Sequence, residues 1–221
     1  MEVWASYSLT DLLLFSPTAY FRLYELNNLA LWPFQLLMVV AGLVLAWMGR
    51  GEGSGEVRAI GLLLALSWGC VAWWFLYRQY AQIYPMATWF SIVFALQALM
   101  LLSAGLAGCK VFGRRAWHSP VNPGLLLLLY ALILHPVIGL LSGRSLAGME
   151  LFGLAPDPTA LATLGILLMR RGTVPWLLGL IPLLWCTVSG LTYLAMEIDY
   201  GLLTPLAAVV ALVAAALLRV K

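Results

Sequence analysis

Long apolar segments separated by short polar connections dominate this chain. The segments cover residues 29–48, 58–77, 86–108, 124–142, 146–169, 174–194 and 202–219. A helix needs about 20 mostly apolar residues to cross the hydrocarbon of a bilayer. Charged residues make up 10% of the chain, against about 25% in soluble domains. The sequence therefore predicts an all-α, polytopic membrane helix bundle with about seven transmembrane helices.

The basic residues predict the orientation of this bundle. If every segment crosses, nine of the twelve basic residues lie on one side: Arg50, Arg58, Lys110, Arg114, Arg115, Arg170, Arg171, Arg219 and Lys221. Basic loops stay in the cytoplasm, so the N-terminus is predicted outside and the C-terminus inside. A fifth segment that dipped in and returned would leave five basic residues on the cytoplasmic side against seven, which disfavours that arrangement. Seven of the nine acidic residues then face outward.

The first residues do not have the pattern of a span. We divide the chain into an interfacial N-terminal helical segment, residues 1–28, and a seven-span transmembrane bundle, residues 29–221. Pro17 interrupts the N-terminal segment, which predicts two short helices lying in the outer interface. The segment is interpreted either as a lid over an outward-facing cavity or as a simple anchor. Its charged residues at the predicted lid or interface are Asp11, Arg22 and Glu25.

Two ionisable residues are predicted at the same depth in the membrane. His135 follows Pro123, the inner start of the fourth span, by twelve positions, which is roughly 18 Å at 1.5 Å per residue. Asp157 precedes Arg170, the inner end of the fifth span, by thirteen positions. Ionisable groups in the bilayer need a partner, water or neutralisation. We therefore expect both residues to face one polar cavity. The alternative for His135 is a neutral ring bonded to a carbonyl freed by Pro136, or to a serine.

The fifth span is predicted to be broken near Asp157. Pro156 and Pro158 flank this residue, and Asp before Pro is a strong helix-start signal. The prediction is a half-helix that begins at Pro158 and is capped by Asp157. Half-helix N-termini form substrate or ion sites in transporters. In the alternative interpretation, Asp157 only caps its own helix.

Further polar residues could share this layer. The candidate ligand-binding residues, besides Asp157 and His135, are Gln35, Gln97 and Glu197. Cys70 and Cys186 are interpreted as small packing residues, because no spacing rule indicates a Cys/His/Asp metal site. No metal, cofactor or catalytic residue is predicted. The scattered basic residues exclude a nucleic-acid surface.

Two segments resemble a family of bacterial multi-spanning membrane proteins of unknown function. One runs from Tyr7 through Asp11 and Pro17 to Asn28, and the other runs from Gly153 to Gly165. Such proteins are sometimes labelled permeases. The resemblance implies a multi-pass protein of the bacterial inner membrane, and it implies no activity or substrate.

Three functions remain open from the sequence. The first is a small permease- or channel-like protein with an outward-facing polar pocket, in which Asp157 and His135 bind a small polar or cationic solute. The second is an accessory or assembly subunit with membrane protein partners. The third is a membrane-embedded enzyme that uses His135 with a carboxylate. Each assumes the lipid bilayer as the surrounding solvent.

Overall fold

The computed structural model of the chain describes residues 14–51, 53–108, 112, 114–115, 122–171 and 174–219. Helices dominate this part of the chain. Their bounds are α1 (Pro17–Ala30), α2 (Phe34–Met48), α3 (Ser54–Cys70), α4 (Ala87–Ala107), α5 (Pro123–Leu129), α6 (His135–Leu141), α7 (Pro156–Leu168), α8 (Val174–Ala195) and α9 (Leu203–Arg219). A π-helical segment, Tyr130–Leu134, joins α5 to α6, so that residues 123–141 form one helix.

Four helices of the described part are long and apolar enough to cross a membrane. They are Ser54–Gln82, Ala87–Ala107, Pro123–Leu141 and Leu177–Ala195. A fifth candidate is the pair formed by α1 and α2, which are bent by 96°. The predicted number of seven spans stays a prediction, because the helices α2, α7 and α9 have only 15, 13 and 17 residues. The predicted orientation also stays a prediction.

The helix α1 begins at the proline that was expected to break it. Pro17 occupies the first helical turn, where a missing N–H costs nothing. Ser16 is the N-cap, and its hydroxyl accepts the N–H of Ala19 at 3.2 Å. Of the two short helices predicted in this segment, the second is therefore present from Pro17, and residues 1–13, including Asp11, lie outside the described residues.

The helix α7 is the centre of the bundle. All thirteen of its residues are buried, as expected for a helix that is apolar all around. Its length is roughly 20 Å at 1.5 Å per residue, less than the ~30 Å hydrocarbon core. Thr163 of α7 accepts the indole N–H of Trp68 at 2.8 Å. A helix this short and this enclosed is held by protein on all sides.

Glycine contacts allow two helix pairs to approach closely. A Cβ on Gly165 of α7 would lie 2.8 Å from the carbonyl oxygen of Gly124 in α5, and a Cβ on Gly105 of α4 would lie 2.8 Å from Cα of Gly61 in α3. Small residues at such crossings let backbones pack directly. The first of these contacts brings α5, and with it His135 further along the same helix, against α7.

A two-residue antiparallel pair links the connection after α4 to the residues after α7. In it, Arg114 pairs with Arg171 and Arg115 pairs with Arg170. The two connections therefore meet at one end of the molecule.

Candidate functional site

His135, Glu150 and Asp157 form a buried cluster. One potential ligand atom from each residue lies within 4.8 Å of the others. The Nε2 atom of His135 lies 3.0 Å from Oε2 of Glu150. The side chains of His135 and Glu150 are 11% and 2% exposed, and Asp157 is fully buried. His135 and Asp157 therefore lie close together in one cluster, with Glu150 as a third member.

The turn after α6 brings Glu150 and Arg144 to this cluster. Arg144 Nη1 donates to Glu150 Oε1, and the two side chains form a buried ion pair. The hydroxyl of Tyr193 donates to the same Oε1 at 2.8 Å, and Arg144 Nη2 donates to that hydroxyl oxygen at 3.1 Å. Because Oε1 takes these donors, Oε2 is left facing His135.

Asp157 is held by side chains from other helices. Its Oδ1 accepts the indole N–H of Trp185 at 2.8 Å, and its Oδ2 accepts the hydroxyl of Ser189 at 2.6 Å. Thr204 lies 3.5 Å from Oδ2. The predicted role of Asp157 as helix cap is wrong, because α7 begins at Pro156, two residues earlier than expected, and Ala155 is the N-cap. Asp157 lies in the first turn of α7, where the helix dipole favours a carboxylate.

The predicted interruption before this helix is present. Residues 152–154 form turns instead of helix, and Gly153 has φ +76°, which favours glycine. The N–H of Gly153 donates to Thr159 Oγ1 at 2.8 Å, and the hydroxyl of Thr159 donates to the carbonyl of Ala155 at 2.7 Å. The turn is thereby tied to the first turn of α7, which positions Asp157.

The π-helical segment before His135 has a local cause. Pro136 has no N–H to donate, so the preceding turn loses a helical bond and can widen. The freed carbonyl was one predicted partner of the imidazole, but the partner in the structure is Glu150.

Arg144 separates an open groove from a closed cavity. Its guanidinium carbon lies 4.0 Å from the ring centre of Phe21 in α1, and its Nε donates to the hydroxyl of Tyr200 at 3.1 Å. The groove, of ≈ 670 Å³, lies between α1 and residues 142–148. The cavity has ≈ 10 Å³ of space for the centre of a water-sized sphere, and it is lined by His135 and Glu150. Arg144 and Tyr200 line both spaces.

Two of the predicted lid residues line the groove. Arg22 and Glu25 form an ion pair whose side chains are 59% and 25% exposed, and the hydroxyl of Ser145 donates to Glu25 Oε1 at 2.6 Å. The hydrogen bond from Ser145, followed by that from Arg22, lowers the pKa of Glu25 below its ordinary value. Asn28, further along α1, donates to the carbonyls of Ala147 and Met149. The helix α1 is therefore fastened to one wall of the groove.

The structure places the other predicted ligand residues away from the cluster. Gln35 donates to the carbonyl of Asn28, and Gln97 donates to the carbonyl of Leu178 at 2.7 Å. Glu197 is exposed in the turn after α8, with φ 58°. The first two amides tie helices together, and none of the three residues lines the groove or the cavity.

Sequence reasoning missed Glu150, Arg144 and Tyr193 as site residues. Neither Glu150 nor Arg144 was among the candidate residues predicted from the sequence. A signal was available, because Arg144, which precedes the fifth apolar segment, and Glu150, near the start of that segment, are opposite charges six residues apart. Tyr193 gives no comparable signal, since a tyrosine near a helix end is common at membrane interfaces.

The charges of the cluster favour a cation. With a neutral His135 ring and both carboxyl groups ionised, the carboxylates of Glu150 and Asp157 face one permanent positive charge among the described residues, that of Arg144. A buried site with an excess of negative charge is expensive unless it gains a positive charge. Protonation of the imidazole, protonation of the Asp157 carboxylate or binding of a cation would each remove the excess negative charge.

Comparison with known proteins identifies a family whose function is unknown. The model of the family of unknown function DUF6064 matches residues 17–220. No curated protein and no solved structure matches the chain.

Proposed function

Because the chain belongs to DUF6064, whose function is unknown, we propose a function from the site itself: a small permease- or channel-like protein with an outward-facing polar pocket. The pocket admits a small polar or cationic solute. The observation that carries this proposal is the sharing of Arg144 and Tyr200 by an open groove and a cavity lined by His135 and Glu150 of the buried cluster. The groove is the entrance, and the Arg144 side chain is the gate.

The same proposal places all seven apolar segments across the bilayer of the bacterial inner membrane, with the N-terminus outside. The fifth segment crosses as turns followed by the half-helix α7. The irregular backbone of the turns is enclosed by protein, as the bilayer requires. The pairing of Arg114–Arg115 with Arg170–Arg171 supports this crossing. A fifth segment that dipped in and returned would place these two arginine pairs on opposite sides of the membrane.

In this proposal α1 is a lid as well as an anchor. Phe21 of α1 stacks on the gate residue Arg144, and Asn28 fastens the end of α1 to residues 147 and 149. A movement of α1 away from the bundle would separate the Phe21 ring from the guanidinium of Arg144. The lid and the gate would therefore open together.

The test is charge movement in reconstituted vesicles. The purified protein is placed in liposomes on a solid-supported membrane, and jumps of choline, Na⁺, Mn²⁺ and Zn²⁺ are applied. We expect a charge displacement with at least one cation, and a lower half-saturating concentration for Arg144→Gln because the gate is removed. Arg78→Gln is the matched control, since Arg78 is exposed and stacks on Trp74 instead of lining the groove.

Signals no larger than those of protein-free vesicles, for both the wild-type protein and Arg144→Gln, would contradict the proposal. If such signals are absent and a membrane protein co-purifies in constant ratio with the chain, the accessory-subunit function is favoured instead.

A further inference from the structure

We infer that His135, Glu150 and Asp157 form a binding site for a divalent first-row transition-metal ion of the Zn²⁺ or Mn²⁺ type. This inference names the solute class of the permease proposed above, and in that respect it rests on the proposed function. The binding of the ion can be measured without transport.

The ligand geometry fits one ion. Ligands at about 2.0–2.2 Å from a metal lie about 3.0–4.3 Å from each other. The three candidate ligand atoms all lie within 4.8 Å of one another, and His135 Nε2 and Glu150 Oε2 are 3.0 Å apart. Small side-chain rotations would bring the three atoms to coordination distances.

The surroundings hold the carboxylates as metal ligands are usually held. Ligating carboxylates are oriented by hydrogen bonds to their other oxygen or from outer groups. Trp185 and Ser189 orient Asp157, and Tyr193 holds Glu150 Oε1 while Oε2 faces the imidazole. The carboxylate planes are thus set by residues of α8, outside the ligand set.

An independent observation points to a ligand in the adjoining cavity. The hydroxyl oxygen of Tyr130 is buried and has no hydrogen-bond partner among the described residues. It belongs to the wall of the same small cavity as His135 and Glu150. Buried hydroxyls are normally bonded. A water on the metal, completing its coordination, would give this hydroxyl a partner.

The ligand types select the metal. One imidazole with two carboxylates suits Zn²⁺ or Mn²⁺, whereas Mg²⁺ and Ca²⁺ prefer oxygen ligands alone. No thiolate belongs to the set, which disfavours Cu⁺. The site therefore discriminates by its single nitrogen ligand.

Arg144 acts as a tethered competitor of the ion. Its guanidinium is paired with Glu150, and a dication at the cluster would repel it. The open groove on its other side can receive the displaced side chain. Only the molecules in which Arg144 has already moved can bind the ion, so the apparent affinity equals the intrinsic affinity multiplied by their fraction. Removal of the guanidinium should therefore tighten binding.

The experiment is a Zn²⁺ titration of the full chain in detergent. The protein is freed of any polyhistidine tag, treated with a chelator, and titrated at neutral pH against a chromogenic Zn²⁺ indicator. We expect one site per chain, at least about tenfold weaker in His135→Gln and Asp157→Asn, and at least about tenfold tighter in Arg144→Gln. His118→Gln is the matched control, because His118 is the only other histidine, and it should bind as the wild-type protein does.

A second measurement guards against variants that fail to fold. Asp157→Cys would retain a ligand at that position, and with Co²⁺ it should show a thiolate charge-transfer band that the wild-type complex lacks. Absence of a stoichiometric site in the wild-type protein, or loss of the site in His118→Gln, would overturn the inference. If vesicle currents with another cation persist without Zn²⁺ binding, the permease proposal stands and the metal inference fails. If Zn²⁺ binds but no vesicle current appears with any cation, the metal inference stands and the permease proposal fails.

Discussion

Removing Arg144 should destabilise the protein more than removing its partner Glu150. In Arg144→Met the carboxylate of Glu150, which is 2% exposed, loses its permanent cation and keeps only the titratable imidazole of His135 beside it. Breaking a buried ion pair in this way costs about 3–5 kcal/mol. In Glu150→Met the unpaired group is the guanidinium, which borders the groove of ≈ 670 Å³ and can turn towards water. We therefore expect a smaller cost, about 1–3 kcal/mol, mainly for the lost hydrogen bonds.

The double variant separates charge pairing from packing. With Arg144 and Glu150 both replaced by Met, neither charge is left uncompensated, so the cost should be less than the sum of the two single costs. A double-mutant cycle isolates this coupling, which should be about 2 kcal/mol or more in favour of the pair.

The assay is reversible unfolding in mixed micelles by titration with a denaturing detergent, followed by tryptophan fluorescence. The exposed pair Arg22–Glu25 provides a matched control, because exposed ion pairs contribute about 0–1 kcal/mol. Equal costs for Arg144→Met and Glu150→Met, or strict additivity in the double variant, would refute the asymmetry argued from the groove.

The remaining predictions concern packing, the carboxylate and pH. Gly165→Ala should lower the free energy of unfolding by about 1–3 kcal/mol, because the new Cβ would lie too close to the backbone oxygen of Gly124. Gly69→Ala has open space around the new Cβ, so it should be neutral or stabilising in the same unfolding assay. Trp185→Phe removes the N–H donor to Asp157, so we expect a loss of about 1–3 kcal/mol, and an unchanged unfolding midpoint would count against that hydrogen bond. Since the pKa of Glu25 is lowered in the folded protein, its contribution to stability is present above its ordinary pKa and is lost as the pH falls through the folded value. The protection of α1 against hydrogen exchange, corrected for the intrinsic exchange rate at each pH, should therefore fall over that acidic range, and Glu25→Gln should abolish this pH dependence.

The sequence by itself determined the helical class of the protein and predicted a common depth for two site residues. Apolar length and low charge predict helices that could span a membrane, since the bilayer leaves a single chain few other ways to satisfy its backbone. The rise of 1.5 Å per residue predicts a similar depth for His135 and Asp157 without any knowledge of packing. The helix-start signal at Pro156–Pro158 determined that the fifth segment is interrupted, with an error of two residues in the start of α7.

Tertiary structure alone decided which groups meet at that depth. Rotation about a helix axis depends on packing, so the sequence could not distinguish Gln35 and Gln97, which bond to backbone carbonyls of other segments, from His135, which faces the cluster. The irregular residues 142–155 have no period from which to predict a position, and they carry both Arg144 and Glu150 into the site. Asp157 became a partner of Trp185 and Ser189 instead of a helix cap, because α8 packs against the first turn of α7 and offers donors that local sequence does not contain.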